Sequence, residues 1–148
     1  MLNARRLLAL LLAVCPVAHT ADPPPARIEV FYDAATAPLA VEAVRRELPD
    51  VPIALYDLNA PDALEKELSR GLPADLEQAK AIALKRIEAM GRDALQERFA
   101  AAYRGHVKAV EYGLDRYPAV VFDAGESVVY GVRDLREALA LYRQRRAP

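Results

Sequence analysis

The sequence has little of the chemistry on which many enzymes depend. Its 148 residues contain one cysteine, two histidines and no tryptophan. The single cysteine, Cys15, lies in an apolar N-terminal segment that we expect to be removed from the mature chain. Because a thiolate is the nucleophile in disulfide exchange, a mature chain without cysteine can neither form a disulfide nor act as a thiol oxidoreductase.

An excess of positive charge is also lacking. The chain carries 20 basic and 21 acidic residues, a formal net charge of −1. Residues 1–21 hold Arg5 and Arg6 and no acid, so the remaining 18 basic and 21 acidic residues give the mature chain a net charge of −3. Nucleic-acid-binding proteins present a basic surface that neutralises phosphates. The balance therefore predicts no direct nucleic-acid partner.

The first residues have the layout of a secretory signal. A positive start is followed by the apolar run Leu7 to Val14, and small residues precede Asp22. This run is shorter than the about 20 residues that span a bilayer. We therefore predict a signal peptide over residues 1–21, a domain over residues 22–148, and export to the periplasm with no transmembrane segment in the mature form. A buried N-terminal helix and lipidation at Cys15 are the alternatives.

The mature chain alternates strand and helix patterns. Apolar residues at every second position predict strands, and apolar residues three or four apart predict helices. The first predicted elements are a strand at 27–32, a helix begun by Pro38, and a strand at 51–58. A helix with a capping box at Asp62 and a stop at Gly71 follows, and then one kinked or two separate helices at 74–112. The last elements are strands at 117–122 and 127–132 and a helix capped by Asp134.

This order of elements predicts an α/β fold in a single domain. A strand–helix–strand unit with short connections favours two parallel strands, and the turn at 123–126 joins two strands into an antiparallel hairpin. Together they give a central four-stranded mixed sheet flanked by helices. The arrangement resembles the thioredoxin-like fold, with an enlarged helical insertion at about 74–112 between the second strand and the C-terminal hairpin.

Two short segments are candidates for a binding site. Many thioredoxin-like proteins hold a reactive cysteine pair in the loop after the first strand, but here the loop of residues 33–37 contains no sulfur. In that fold the proline that opens the third core strand is usually cis and faces this loop, which the resemblance implies for Pro118. The alternative is that the proline only shapes its turn and the site is vestigial. The candidate partner-binding residues are Asp33, Thr36, Pro38, Tyr117 and Pro118.

No residue pattern predicts catalysis, a metal or a cofactor. His106 is the only histidine of the mature chain and lies beside the apolar helix face formed by Tyr103, Val107 and Val110. No carboxylate or further histidine stands at ligand spacing in its helix, so a structural or surface role is expected. The serines lack a histidine in any recognisable nucleophile signature. We expect a non-enzymatic protein with no cofactor and no metal.

Longer segments resemble a known family. The stretches LEKELSRGLPADLEQAKAIALKRI, AAAYRGHVKAVEYGLDRYPAVVFD and SVVYGVRDLREALALYR are similar to those of small exported proteins encoded in integrating conjugative elements. That family is itself similar to the TrbC pilus-assembly proteins. The resemblance covers residues 28–143 and implies a thioredoxin-like fold, a periplasmic location and protein partners in a type IV secretion-like apparatus. It supplies no catalytic residue.

Three functions remain open at this point. The first is a non-catalytic scaffold or assembly factor of the DNA transfer apparatus of an integrating conjugative element, acting through contacts with other protein components. The second is a general periplasmic peptide-binding or chaperone-like module. The third is a disulfide oxidoreductase, which the absence of a thiol from the mature chain disfavours.

Overall fold

The structure is a computed structural model that describes residues 23–147. The predicted signal peptide, its cleavage site and Cys15 lie outside the described residues. The elements in chain order are β1 (Ile28–Tyr32), α1 (Val41–Glu47), β2 (Ile53–Asp57), α2 (Ala60–Ser69), α3 (Leu76–Met90), α4 (Arg92–Glu111), β3 (Ala119–Phe122), a 3₁₀ turn (Asp123–Gly125), β4 (Ser127–Tyr130) and α5 (Leu135–Arg146).

The four strands form one mixed sheet in the order β2-β1-β3-β4. β1 runs parallel to β2, with Val30 beside Leu55, and antiparallel to β3, with Val30 beside Val120. β3 pairs antiparallel with β4 through the hairpin, so that Val120 lies beside Val129. The prediction of a thioredoxin-like α/β fold around a four-stranded mixed sheet is confirmed.

Each face of the sheet has its own core. The α1 and α5 side contains fully or almost fully buried side chains from both helices and from the central strands. They include Ile28, Val44, Phe122, Leu139 and Tyr142. The α4 side is smaller and is built on Phe31, Ala109, Ala119 and Val121. Because burial of a large apolar side chain contributes about 1.5–3 kcal/mol, β1 and β3, which supply both cores, are the centre of the fold.

The helical insertion consists of two helices. Gly91, with a φ of 85°, separates α3 from α4, since this backbone conformation is open to glycine and costly for other residues. α3 buries no residue, and α4 buries only Gly105 and Ala109. Although α4 is 20 residues long, neither it nor any other described helix is apolar enough to cross a bilayer.

The apolar face of α4 points away from the core. Tyr103, Val107 and Val110 are 42%, 64% and 82% exposed. With 3.6 residues per turn, they lie opposite Gly105 and Ala109, which contact the sheet. The spacing of the larger residues predicts the helix correctly but not its orientation, because small residues form the packed side.

The predicted start of the first helix at Pro38 is wrong. α1 begins at Val41. Leu39 is held in a β-bridge instead, because Leu39 N donates to the carbonyl oxygen of Arg133 at 2.8 Å and the carbonyl oxygen of Leu39 accepts from Leu135 N at 3.1 Å. A tertiary contact with the residues after β4 therefore overrides the local preference of proline for a first helical turn.

Of three other helix boundaries, one was predicted wrongly and two are confirmed. α2 begins at Ala60, two residues before Asp62, so Asp62 lies within the first turn instead of capping it. Gly71 follows the end of α2 with a φ of 68°, as expected of a helix stop. Asp134 caps α5, since its Oδ1 accepts a hydrogen bond from Arg136 N at 2.9 Å.

Candidate partner-binding site

The loop after β1 is organised around the carboxylate of Asp33. Its Oδ1 accepts hydrogen bonds from Ala35 N at 2.9 Å, from Thr36 N at 2.8 Å and from the Thr36 hydroxyl at 2.8 Å. The Thr36 hydroxyl is the main reason why the pKa of Asp33 lies below its ordinary value, and the two backbone N–H groups lower this pKa further. Asp33 and Thr36 thus form a closed turn of the kind that Asp favours in loops.

Neighbouring loops brace this turn from both sides. Ala34 N donates to Asn59 Oδ1 at 2.6 Å, and Asn59 N donates to Asp57 Oδ1 at 2.8 Å. On the other side, the Arg133 guanidinium donates to the carbonyl oxygen of Ala37 at 3.3 Å. The segment that resembles a thioredoxin active-site loop is therefore a turn held by hydrogen bonds.

Tyr117 and Pro118 lie at the same end of the sheet as this turn. Phe31 pairs with Ala119, so continuing the antiparallel register brings Pro118 beside Tyr32 and Tyr117 towards Asp33. The Tyr117–Pro118 peptide bond is cis, as the resemblance implied. Pro118 is buried and its carbonyl oxygen accepts from Gly131 N at 2.8 Å, whereas Tyr117 is 41% exposed.

The structure thus gives the five candidate residues four different settings. Asp33 and Thr36 bond to each other, Pro118 supports the strand, and Tyr117 alone offers a large side chain to a partner. Pro38 lines a shallow depression with Val41, Asp134 and Arg136. Next to it, Leu39 is 52% exposed at the same end of the sheet, where it bridges to Asp134.

His106 has no ligand set around it in the described part of the chain. No group of three or more metal-binding side chains occurs among residues 23–147. The imidazole of His106 lies 6.0 Å from the ring of Tyr103, and its Nδ1 is buried without a hydrogen-bond partner there. The expected structural or surface role of His106 stays a prediction.

The sequence analysis did not single out Glu29, the one charged residue among the described residues whose side chain is fully buried. Its carboxylate accepts hydrogen bonds from Tyr112 Oη at 2.5 Å, from Tyr56 Oη at 3.2 Å and from Arg27 Nη2 at 3.3 Å. Burial raises the pKa of the Tyr112 hydroxyl, and Glu29 raises it further. The sequence signal that could have identified Glu29 is its position as an acidic residue between Ile28 and Val30 in a strand predicted to lie in the interior of the sheet.

The sheet order, the hydrogen-bonded turn at the carboxyl end of β1 and the cis proline that opens β3 define a thioredoxin-like α/β protein. The chain belongs to the family described as "Protein of unknown function (DUF1525)", which it matches over residues 28–148. No curated protein and no solved structure gives a significant match to the chain.

Proposed function

We propose that the protein is a non-catalytic, exported component of the DNA transfer apparatus of an integrating conjugative element, and that it works through protein–protein contacts. Three features support this proposal: the signal-like first 21 residues, the similarity of three segments to proteins of such elements, and the absence of cysteine after Cys15. The observation that carries it is the replacement of a reactive loop by a closed Asp33–Thr36 turn beside the exposed Tyr117.

The contact surface we propose is formed by Tyr117 and Leu39. Both side chains are large, apolar for most of their area and about half exposed, at 41% and 52%. Tyrosine is enriched among the residues that dominate binding energy at protein interfaces, because it buries a large area and keeps a polar hydroxyl. The hydrogen-bonded turn at residues 33–36, which precedes Leu39 in the sequence, limits the entropy that is lost on binding.

Deletion of the gene in a donor strain tests the proposed role. We expect the frequency of transfer of the element to fall, and unchanged transfer would remove the hypothesis. Complementation with Tyr117→Ala then tests the surface, with Tyr103→Ala as the matched control, since Tyr103 is the same residue type at 42% exposure on α4. We expect only Tyr117→Ala to fail to restore transfer at equal protein level.

The alternative is a general periplasmic peptide-binding or chaperone-like module. Two exposed apolar side chains at one end of the sheet favour it, since such contacts accept many sequences. Crosslinking from a photoreactive residue at position 117 separates the two functions. Products formed equally in cells with and without the conjugative element support the general module, whereas products formed only in cells that carry the element support the proposed role.

A further inference from the structure

The outer edge of β2 is unpaired in the described part of the chain. Leu58 N donates to the Tyr32 carbonyl oxygen at 2.8 Å and Ile28 N to that of Pro52 at 3.0 Å, which fixes the ladder between β1 and β2. In this parallel register the even-numbered residues of β2 bond to β1. The N–H and C=O groups of the odd-numbered residues point outward, and no described residue bonds to them. These residues are Ile53, Leu55 and Asp57.

The opposite edge of the sheet is protected. On β4 the outward carbonyl oxygen of Val128 accepts a hydrogen bond from Arg145 Nη1 of α5 at 3.0 Å. Proteins commonly block edge strands with charged side chains, because an open edge templates the addition of another strand. No described side chain bonds to the outward backbone groups of β2, and Leu55 at its centre is 39% exposed. The two edges of this sheet therefore differ in their capacity to accept a strand.

A cleft runs along the open edge. It has a volume of about 250 Å³ and separates β2 from α4. The strand side is formed by Leu55, Tyr56 and Asp57, and the helix side by small residues. Those small residues are Ala101, Ala102 and Gly105. Because three of the four α4 residues that line the cleft are alanine or glycine, the cleft leaves room for the side chains of an added strand beside the free backbone groups.

The rim of the cleft carries one basic side chain that forms no ion pair with a described residue. Arg104 lines the cleft and forms no ion pair among the described residues. No acid stands three or four residues from it on α4, where the neighbours are Ala100, Ala101, Val107 and Lys108. The carboxylate of Asp57, on the strand side of the same cleft, accepts from Asn59 N and forms no ion pair with Arg104. An occupant with an acidic side chain complements this charge.

A second copy of the chain fits this charge pattern poorly. Two β2 strands that pair antiparallel about a two-fold axis normal to the sheet would place both α4 helices on the same face of the joint sheet. Both Arg104 side chains would then lie on that face, and neither has an acid three or four residues away on its own helix. The charge pattern therefore favours a different chain, one that carries a carboxylate.

We propose that the β2 edge binds an extended acidic segment of a partner protein, which adds as a fifth strand. The main chain of this segment pairs with the free groups of Ile53, Leu55 and Asp57. One of its carboxylates pairs with Arg104, and alternate side chains enter the cleft beside Ala101 and Gly105. This surface is distinct from Tyr117, and the inference does not rest on the proposed function.

Selection of a displayed library of random peptides on the purified chain supplies the probe. We expect selected peptides to contain aspartate or glutamate. Adding such a peptide should slow amide hydrogen exchange at Ile53, Leu55 and Asp57 at least tenfold, measured by NMR. Failure to select any peptide, protection of other amides only, or protection of these three amides by dimerisation without peptide would each overturn the proposal.

Two variants with matched controls complete the test. Leu55→Pro removes an outward N–H and shortens the side chain at a position where an edge strand tolerates proline, so the fold is kept while peptide affinity falls at least tenfold. Leu55→Ala retains the N–H and should bind at nearly the original affinity. Arg104→Glu should redirect selection towards basic peptides, whereas Arg92→Glu, exposed at the far end of α4, should not. Equal binding by Leu55→Pro, or an unchanged preference in Arg104→Glu, contradicts the proposal.

Discussion

The hydroxyl of Tyr112 lies 2.5 Å from Oε2 of Glu29, a residue 83 positions earlier in the chain. This contact ties the end of α4 to the centre of the sheet. A fully buried carboxylate costs several kcal/mol in lost hydration unless it is paired and hydrogen-bonded. Tyr56 and Arg27 supply two further donors, so the helical insertion is anchored by a polar network beneath an otherwise apolar face.

We predict that Tyr112→Phe lowers the free energy of unfolding by about 1.5–3 kcal/mol, the usual contribution of a hydrogen bond to a charged group. The ring itself should stay in place, since its edge packs on Phe31 with 6.1 Å between centroids. Urea denaturation measures the change. Tyr103→Phe is the control, because Tyr103 is exposed and should change stability by less than about 0.5 kcal/mol. Equal effects of the two variants would contradict this account.

The order of elements could be predicted because each signal was local. Alternation marks β1, the turn after Phe122 marks the hairpin, and Asp134 marks the start of α5, and all three are found in the structure. The start of α1 could not be predicted, since the contact between Leu39 and Arg133 joins residues far apart in the sequence. The orientation of α4 was missed for a related reason. Its sheet-facing side is chosen by the fit of Gly105 against Tyr56, not by hydrophobicity.

The candidate site was predictable only in part. The cysteine-free loop and Pro118 were identified from their positions, and the structure brings them to the same end of the sheet. The hydrogen bonds that close Asp33 on Thr36 follow from a known preference of Asp in turns. The free edge of β2 could not be foreseen, because which strands lie at the edges depends on the order of pairing, which no single segment encodes.

The contribution of Asp33 to stability should depend on pH. Its folded-state pKa is lowered, mainly by the Thr36 hydroxyl, so its ionised form stabilises the fold above the unfolded-state pKa. This stability is lost as the pH falls through the folded-state pKa. We predict that Asp33→Ala destabilises the protein at pH 7 and that the difference from the unmodified chain shrinks in strong acid. Asp50→Ala, at an exposed position without a hydrogen bond to described residues, serves as the control. A difference independent of pH would contradict the prediction.

Because α4 packs closely on the sheet at Gly105, we expect a larger side chain at this position to destabilise the protein. A Cβ atom at this position would lie 3.1 Å from Tyr56 Cβ and 3.3 Å from Leu58 Cδ2. Tyr56 Cβ is attached directly to the backbone of β2 and has little freedom to move. We predict that Gly105→Val lowers the free energy of unfolding by about 1–3 kcal/mol through overpacking. The matched control is Ala100→Val on the exposed side of the same helix, where only helix propensity changes, by less than about 1 kcal/mol. Similar losses in both variants would show that the contact with Tyr56 is not the cause.

One substitution in the hairpin turn is expected to raise the free energy of unfolding instead of lowering it. Ala124 has a φ of 57°, a left-handed conformation that costs a residue with a Cβ about 1–2 kcal/mol and costs glycine almost nothing. Glycine loses more conformational entropy on folding, which offsets part of the gain, so we predict that Ala124→Gly stabilises the protein by about 0.5–1 kcal/mol. The same exchange at Ala100, inside α4, should destabilise it by about 1 kcal/mol. Urea denaturation of the two variants gives the comparison directly. If both variants lose stability, the turn between β3 and β4 does not hold Ala124 in the left-handed conformation in solution.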